Sequence, residues 1–405
     1  MMDRSGGSVL RFGITLTALA VMALVLTGCF GGGGWPRFGS IDGFVYYHFD
    51  AKESGTARDA KPDLVVTRSR IAPSGYSPLQ GAKVAAVGSG GTYITYSGSD
   101  GYFILTSVTP GVYEVSITHD RFIIGLRFSN VTVTAGVTRH LSDSVLGSFF
   151  YLIIGINDYP EYPLQYCVAD AQAIKRSLWT TNGYAGKVIL LTDAQASKDG
   201  IRTAIESIGS QMNKQDYFVM FFSGHGGYQA DNSPDPPDDD PQEFLVAADN
   251  QVIDDDELTQ WIWSNIPTDY CLFIFDSCHS GGMVKSADTA VAPSWMKGYR
   301  PGLSGLARDL NQDGYVVIMA CDDNETSKED PGLGQGVFTY YFCRGIDTRD
   351  ADFNPADGLI TAREIYNYTR PRVMNHVAGK GWTSQTPQLY ASPAERADIP
   401  VYRVP

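Results

Sequence analysis

The chain has 405 residues, which is room for two or three domains with ample core. Its formal net charge of −14 argues against nucleic acid or an anionic membrane surface as a partner; it suits a solvated acidic surface or a site that attracts cations. Six Cys are too few for a disulfide framework at this length, and 43 Gly with 21 Pro predict many tight turns.

Taken in order, Arg4 and Arg11 precede an apolar run from Ile14 to Leu26. The run has the length of a signal-peptide core and falls short of the roughly 20 residues a spanning helix needs. It ends Leu26-Thr27-Gly28-Cys29, which resembles the lipobox of bacterial lipoproteins. That resemblance implies that residues 1–28 are a lipoprotein signal peptide and that Cys29 carries a lipid anchor to the membrane. It also implies a cell-envelope location, with the domains in the periplasm or outside the cell. An ordinary cleaved signal with an incidental Cys is the alternative. Residues 29–37, with glycines at Gly31 to Gly34, read as a flexible tether. The five Cys left are Cys167, Cys271, Cys278, Cys321 and Cys343, several of them in apolar segments that suit inert core thiols.

Residues 38–147 show short alternating strands and no long helical period: Ile41 to Phe49, Ala82 to Val87, Thr92 to Tyr96, Tyr102 to Leu105, Gly111 to Thr118 and Val131 to Thr134. Ser99-Asp100-Gly101 and Thr109-Pro110-Gly111 are turn signals, and the polar stretch Asp50 to Ser77 reads as a surface insertion. This pattern predicts an antiparallel β-sandwich. Gly39-Ser40-Ile41-Asp42-Gly43-Phe44-Val45, Pro78-Leu79-Gln80-Gly81-Ala82-Lys83-Val84 and Pro110-Gly111-Val112-Tyr113-Glu114-Val115 resemble the carboxypeptidase regulatory-like sandwich, a spacer or binding adaptor. His48, His119 and His140 are scattered and make no catalytic group.

From residue 148 to 405 strands alternate with helices, the signature of an α/β domain with a mostly parallel sheet. Strands are expected at Tyr151 to Ile156, Val188 to Leu191, Tyr217 to Phe222, Tyr270 to Phe275 and Tyr315 to Ala320. Helices are expected at Gln165 to Trp179, Lys198 to Met212, Asp254 to Ser264, Val337 to Ile346 and Thr361 to Val377. Asp231 to Gln242 and Ser286 to Asp309 read as loops. Two apolar strands end in polar groups: Tyr217 to Phe222 runs into Ser223-Gly224-His225-Gly226, and Leu272 to Phe275 into Asp276-Ser277-Cys278-His279-Ser280-Gly281. As parallel neighbours they would set His225 beside Cys278 at the carboxyl edge of the sheet, where open α/β sheets build their sites. A thiol beside an imidazole is an activated nucleophile. His279 would point the other way along an extended chain, and a metal site from His225, Cys278 and His279 lacks ligand spacing.

These two motifs, in this order, resemble the caspase-like cysteine peptidases, and within them the metacaspases. Gly155-Ile156-Asn157-Asp158-Tyr159, Ala169-Asp170-Ala171, Ile253-Asp254-Asp255-Asp256-Glu257-Leu258, Gly336-Val337-Phe338-Thr339 and Gln385-Thr386-Pro387 support the resemblance. It implies a caspase-haemoglobinase fold, Cys278 as nucleophile, His225 as proton donor, and an oxyanion hole from the amides of Gly226 and Cys278. It also places Asp170 and Asp276 as pocket acids for a basic side chain, hence protein or peptide substrates cut after Arg or Lys. No cofactor is required for that chemistry. Calcium as an activator, held by Asp238, Asp239, Asp240, Glu243, Asp254 and Asp255, and a merely solvated acidic loop both stay open. Asp309 to Gly314 and Asp350 to Asn354 imitate an EF-hand start but read as loops, and the basic residues within 286–309 suit self-cleavage. A caspase fold that only binds, or a structural envelope protein, are the competing readings.

Overall fold

The computed structural model describes residues 37–48, 72, 76–120, 122, 125–180, 185–229, 242–277, 306–307, 310, 315–322, 325–353 and 355–403. The leader, the tether up to Pro36 with Cys29, the predicted insertion apart from residues 72, 76 and 77, Asp238 to Asp240 and Cys278 lie outside the described residues, as does nearly all of the 286–309 stretch.

The N-terminal region is strand-rich. Its strands are β1 (Gly39–His48), β2 (Tyr76–Pro78), β3 (Lys83–Gly88), β4 (Gly91–Tyr96), β5 (Tyr102–Val108), β6 (Gly111–Thr118), β7 (Leu126–Val133), β8 (Thr138–His140) and β9 (Ser144–Leu146). Strand β1 pairs with β2, β5, β8 and β9 in one sheet, and a second sheet has the order β4-β3-β6-β7. Alternating apolar residues of both sheets, among them Ile41, Val45, Phe103, Val84, Val115 and Ile117, share one buried cluster. Gly101 takes φ +75 in the turn before β5, where a β-carbon would lie 2.4 Å from the Val45 carbonyl oxygen.

The second region is built on a six-stranded sheet. Its four inner strands are β10 (Phe149–Gly155), β12 (Tyr217–Gly224), β16 (Cys271–Ser277) and β17 (Val316–Met319). The outer ones are β11 (Ala185–Thr192) and β21 (Gln388–Ala391), in the order β11-β10-β12-β16-β17-β21. All neighbours are parallel except β17 and β21. Short strands complete the region: β13 (Gly226–Gln229), β14 (Gln242–Val246) and β15 (Val252–Asp254) form a small sheet, β18 (Glu329–Asp330) pairs β19 (Gln335–Gly336), and β20 (Leu359–Thr361) pairs β22 (Pro400–Arg403).

The inner strands are apolar on both faces because both faces are covered. Phe150, Leu152, Phe218, Met220 and Phe273 face helices α2 (Lys198–Gly209) and α3 (Asp255–Asn265). Tyr151, Ile153, Val219, Phe221 and Ile274 face α1 (Cys167–Lys175), α4 (Val337–Asp347) and α5 (Ala362–Gly379). This is the α/β architecture predicted from the alternation of elements, and each large side chain fully buried contributes about 1.5–3 kcal/mol. The helix predicted over Gln165 to Trp179 is α-helical to Lys175 and continues as a π-helical turn, Arg176–Thr180. Leu306 and Ala307, expected in a loop, are helical and buried, which their apolar side chains explain. No helix among the described residues is long and apolar enough to cross a membrane.

Candidate active site

The carboxyl ends of β12 and β16 lie side by side. Their register pairs Ser223 with Asp276 and Gly224 with Ser277, and the next residues in sequence are His225 and Cys278. His225 is buried, and its Nε2 lies 2.8 Å from the Tyr162 carbonyl oxygen. A carbonyl oxygen only accepts, so Nε2 carries a proton and Nδ1 is the basic nitrogen of the neutral ring. Gly226 follows as the first residue of β13.

The loop from 156 to 166 holds the far side of the histidine. Asn157 organises it: its amide and that of Asp158 donate to Asp193 Oδ1, and its own Oδ1 accepts from Val168 N at the start of α1. Tyr159 packs its ring against His225 with centroids 4.3 Å apart.

Asp170 and Asp276 are brought together. Both are fully buried, one on α1 and one on β16. Asp170 accepts hydrogen bonds from Ser223 Oγ (3.1 Å) and Gly336 N (2.8 Å). Asp276 accepts from Ser327 Oγ (2.5 Å), Thr339 Oγ1 (2.6 Å) and Thr339 N (3.3 Å). Burial, and then the charge of Asp276, hold the Asp170 carboxyl well above the usual carboxylate range, against the hydrogen bonds that lower it. A segment leading into α4 ties the site together. Glu329 Oε1 accepts from Tyr166 N at 2.8 Å, at the N-terminus of α1. Gln385 Nε2 donates to Ser327 Oγ and to the Ala320 carbonyl at the end of β17. Asp330 accepts from His376 Nε2 and Lys380 Nζ, both at 2.8 Å, fixing the β18–β19 hairpin to α5.

Ser223, Ser327, Thr339 and the backbone of Gly336 are site groups that sequence reasoning did not identify. Hydroxyls carry no spacing signature, though Ser223, Gly336 and Thr339 lie within motifs already singled out. The four described thiols, Cys167, Cys271, Cys321 and Cys343, are buried. Burial raises the pKa of Cys167, Cys271 and Cys343, which suits inert core residues.

The acidic candidates divide. Glu243 on β14 and Asp255 on α3 are buried neighbours, with Glu243 N donating to Asp255 Oδ2 at 3.3 Å. Burial raises the Asp255 carboxyl above its ordinary range. Asp254 instead caps α3, its Oδ1 accepting from Glu257 N at 2.8 Å. Among the described residues no group of three or more acidic, His or Cys side chains is spaced to hold a metal ion. Asp352, in the second EF-hand-like stretch, accepts from the amides of Asp357 and Gly358, as a turn residue does.

A family model described as "Caspase domain" matches residues 150–397. Metacaspase-2 of Arabidopsis thaliana is 28% identical over 246 residues, 55% of this chain and 58% of its own length. Metacaspase-1 of Yarrowia lipolytica is 32% identical over 295 residues, 60% of this chain and 61% of its own length. The chain thus spans less than two thirds of these relatives. Among solved structures, protein GSU0716 from Geobacter sulfurreducens aligns with 64% of this chain and 100% of its own at 22% identity, with a TM-score of 0.44.

Proposed function

The chain belongs to the caspase-domain family, and we propose that it is a cysteine-type endopeptidase cutting after Arg, and less well after Lys, with Cys278 as nucleophile and His225 as its acid–base partner. One observation carries the reading: His225 follows β12 with its Nε2–H donating to the Tyr162 carbonyl oxygen, in the register that pairs Gly224 with Ser277, the residue before Cys278. In the proposed reaction the Cys278 thiol gives its proton to His225 Nδ1, and Sγ, as thiolate, bonds to the scissile carbonyl carbon. The amides of Gly226 and Cys278 hold the oxyanion, each such donor being worth about 3 kcal/mol in the transition state. The C–N bond then breaks and the amine leaves with a proton from His225. Water, giving its proton to His225, releases the acyl group.

Asp170 and Asp276 are the proposed floor of the pocket for the basic side chain. Two buried carboxylates, each fixed by hydroxyl and amide donors, are the pair of acids that a guanidinium would match. Peptides ending in Arg, Lys or Asp, offered to wild type and Cys278→Ala, test the reading. Cleavage after Arg by wild type alone is expected. Preference for Asp sinks the pocket assignment, and equal inactivity of both proteins favours a fold that only binds.

Calcium enters the same proposal as an activator. The buried Glu243–Asp255 pair supplies hard oxygen donors that fit it, with Asp238, Asp239 and Asp240 as the further ligands; Asp254 is occupied as a helix cap. Calcium should raise the melting temperature of wild type and not of Asp255→Asn; no shift in wild type removes it. The proposed lipid on Cys29 is tested by fatty-acid labelling of wild type and Cys29→Ser.

A further inference from the structure

We propose that Tyr159 is a positioning residue for the reaction, one that sets the orientation of His225 through its hydroxyl. This rests on the reading of His225 as the acid–base partner of Cys278.

The hydroxyl is at the centre of a buried relay. His225 N donates to Tyr159 Oη at 3.0 Å, and Tyr159 Oη donates to the Val246 carbonyl at 3.0 Å. Val246 N in turn donates to the His225 carbonyl at 2.9 Å. The backbone of His225 is thereby held at both its N–H and its C=O. Without Tyr159 the amide of His225 would lose its partner in a place closed to water, since Tyr159 and His225 are 4% and 1% exposed. The same residue also packs its ring on the imidazole, so one side chain fixes both the backbone and the plane of the histidine. The third restraint, Nε2 to the Tyr162 carbonyl, comes from the same loop three residues later.

The sequence around the histidine is fitted to this contact. A β-carbon at Gly224 would lie 2.5 Å from Tyr159 Oη, so only glycine before His225 lets the hydroxyl reach the amide. The loop is held at its start by Ile156 N on the Ser223 carbonyl and by Asn157. A structural tyrosine would need only some partner for its buried hydroxyl, as Tyr113 has in the Thr109 carbonyl. This one spends both its acceptor and its donor on the residue that must move a proton and on the strand beside it. Proton transfer depends on alignment, and a small tilt of the ring is felt in the chemical step rather than in substrate affinity.

The test uses the full chain with Tyr159→Phe, which keeps the ring and removes the hydroxyl. An Arg-ended peptide should show kcat reduced about tenfold or more, with KM within about twofold. The pH profile of kcat/KM should be displaced. Tyr113→Phe is the control, since Tyr113 is likewise buried and hydrogen-bonded, to the Thr109 carbonyl in the N-terminal region. It should lower melting temperature without moving the profile. Gly224→Ala, which displaces the hydroxyl while Tyr159 stays, should reproduce the kcat loss. A second readout needs no substrate: the pH dependence of Cys278 alkylation by iodoacetamide, followed on its own peptide. If wild-type alkylation is insensitive to His225→Ala, the His–Cys reading falls and this proposal with it. If it is sensitive to His225→Ala but unchanged in kcat and pH dependence by Tyr159→Phe, only the positioning role is overturned.

Discussion

Asp170 on α1 and Asp276 on β16 aim at one point from two elements: a β-carbon on Gly336 would lie 2.9 Å from Asp170 Oδ2 and 2.8 Å from Asp276 Oδ2. Both are fully buried, and among the described residues no Lys, Arg or His is in ion-pair contact with either. Two like charges held this way resist simultaneous ionisation. Burial first, and the neighbouring charge second, raise the Asp170 pKa above its ordinary 3.8. A carboxyl with a raised folded pKa keeps a proton that the unfolded chain has shed. Its contribution to stability is complete below about 4 and is lost as pH rises through the raised value. Chemical denaturation of wild type should therefore show stability falling with pH above about 4, by up to about 1.4 kcal/mol per pH unit for one proton. Asp170→Asn should lose this part of the slope. Equal slopes in the two proteins refute the raised pKa of Asp170.

Gly336 separates pocket geometry from folding. Its φ of −60° and ψ of 138° are open to any residue, so Gly336→Ala meets no backbone strain. The added methyl would instead stand where both carboxylate oxygens converge. Cleavage of an Arg-ended peptide should lose about tenfold or more in kcat/KM, carried by KM, with the melting temperature lowered by only a few degrees. Wild-type KM in this variant would show that the substrate side chain does not enter between the two acids.

Legibility in the sequence followed burial. Strands β10, β12, β16 and β17 have no polar face because helices cover both sides, so their unbroken apolar runs could be read directly. Strand β21 escaped notice because Gln388–Ala391 is half-buried throughout and neither alternates nor runs apolar. The small sheet β13–β15 begins with two glycines, which read as turn residues. His225 was legible because a strand ends in it. Asp170 and Asp276 could be matched to the metacaspase pocket, but their hydrogen-bond partners Ser327, Gly336 and Thr339 lie more than fifty residues along the chain and meet them only through tertiary packing. Tyr159 lies within the motif Gly155 to Tyr159, yet its hydroxyl contact needs β12 and β14 in place.

Asp330 should behave in the opposite sense to Asp170. Hydrogen bonds from Lys380 first and Gly332 next, with His376 adding to them, hold its pKa down at about 2. A depressed carboxyl gives stability that is present above the unfolded value of 3.8 and is lost as pH falls toward 2. Asp330→Asn should be less stable than wild type at neutral pH, and the gap should close in acid. A gap that persists unchanged down to pH about 3 rejects the ionic anchoring of the β18–β19 hairpin.

Asp216 offers the cleanest window, because it stands outside the proposed pocket. It is fully buried just before β12 and accepts from Ser148 N and Asn213 N, both at 2.8 Å. Burial outweighs these two bonds and raises its pKa from 3.8 to about 6. The folded protein thus favours the neutral acid, and the stability this gives is full below about 4 and lost as pH rises through about 6. A shift of that size corresponds to about 3 kcal/mol across the window. Asp216→Asn cannot titrate and has one oxygen to offer two amides, so it should be the less stable protein at pH 4, where a lost hydrogen bond costs about 1 kcal/mol. Its deficit should shrink between pH 4 and 7 and can reverse, as wild type becomes charged in a place closed to water. Urea denaturation of both proteins at pH 4, 5, 6 and 7 measures the gap. A constant gap means that Asp216 is ionised throughout, and that its two amide bonds outweigh burial.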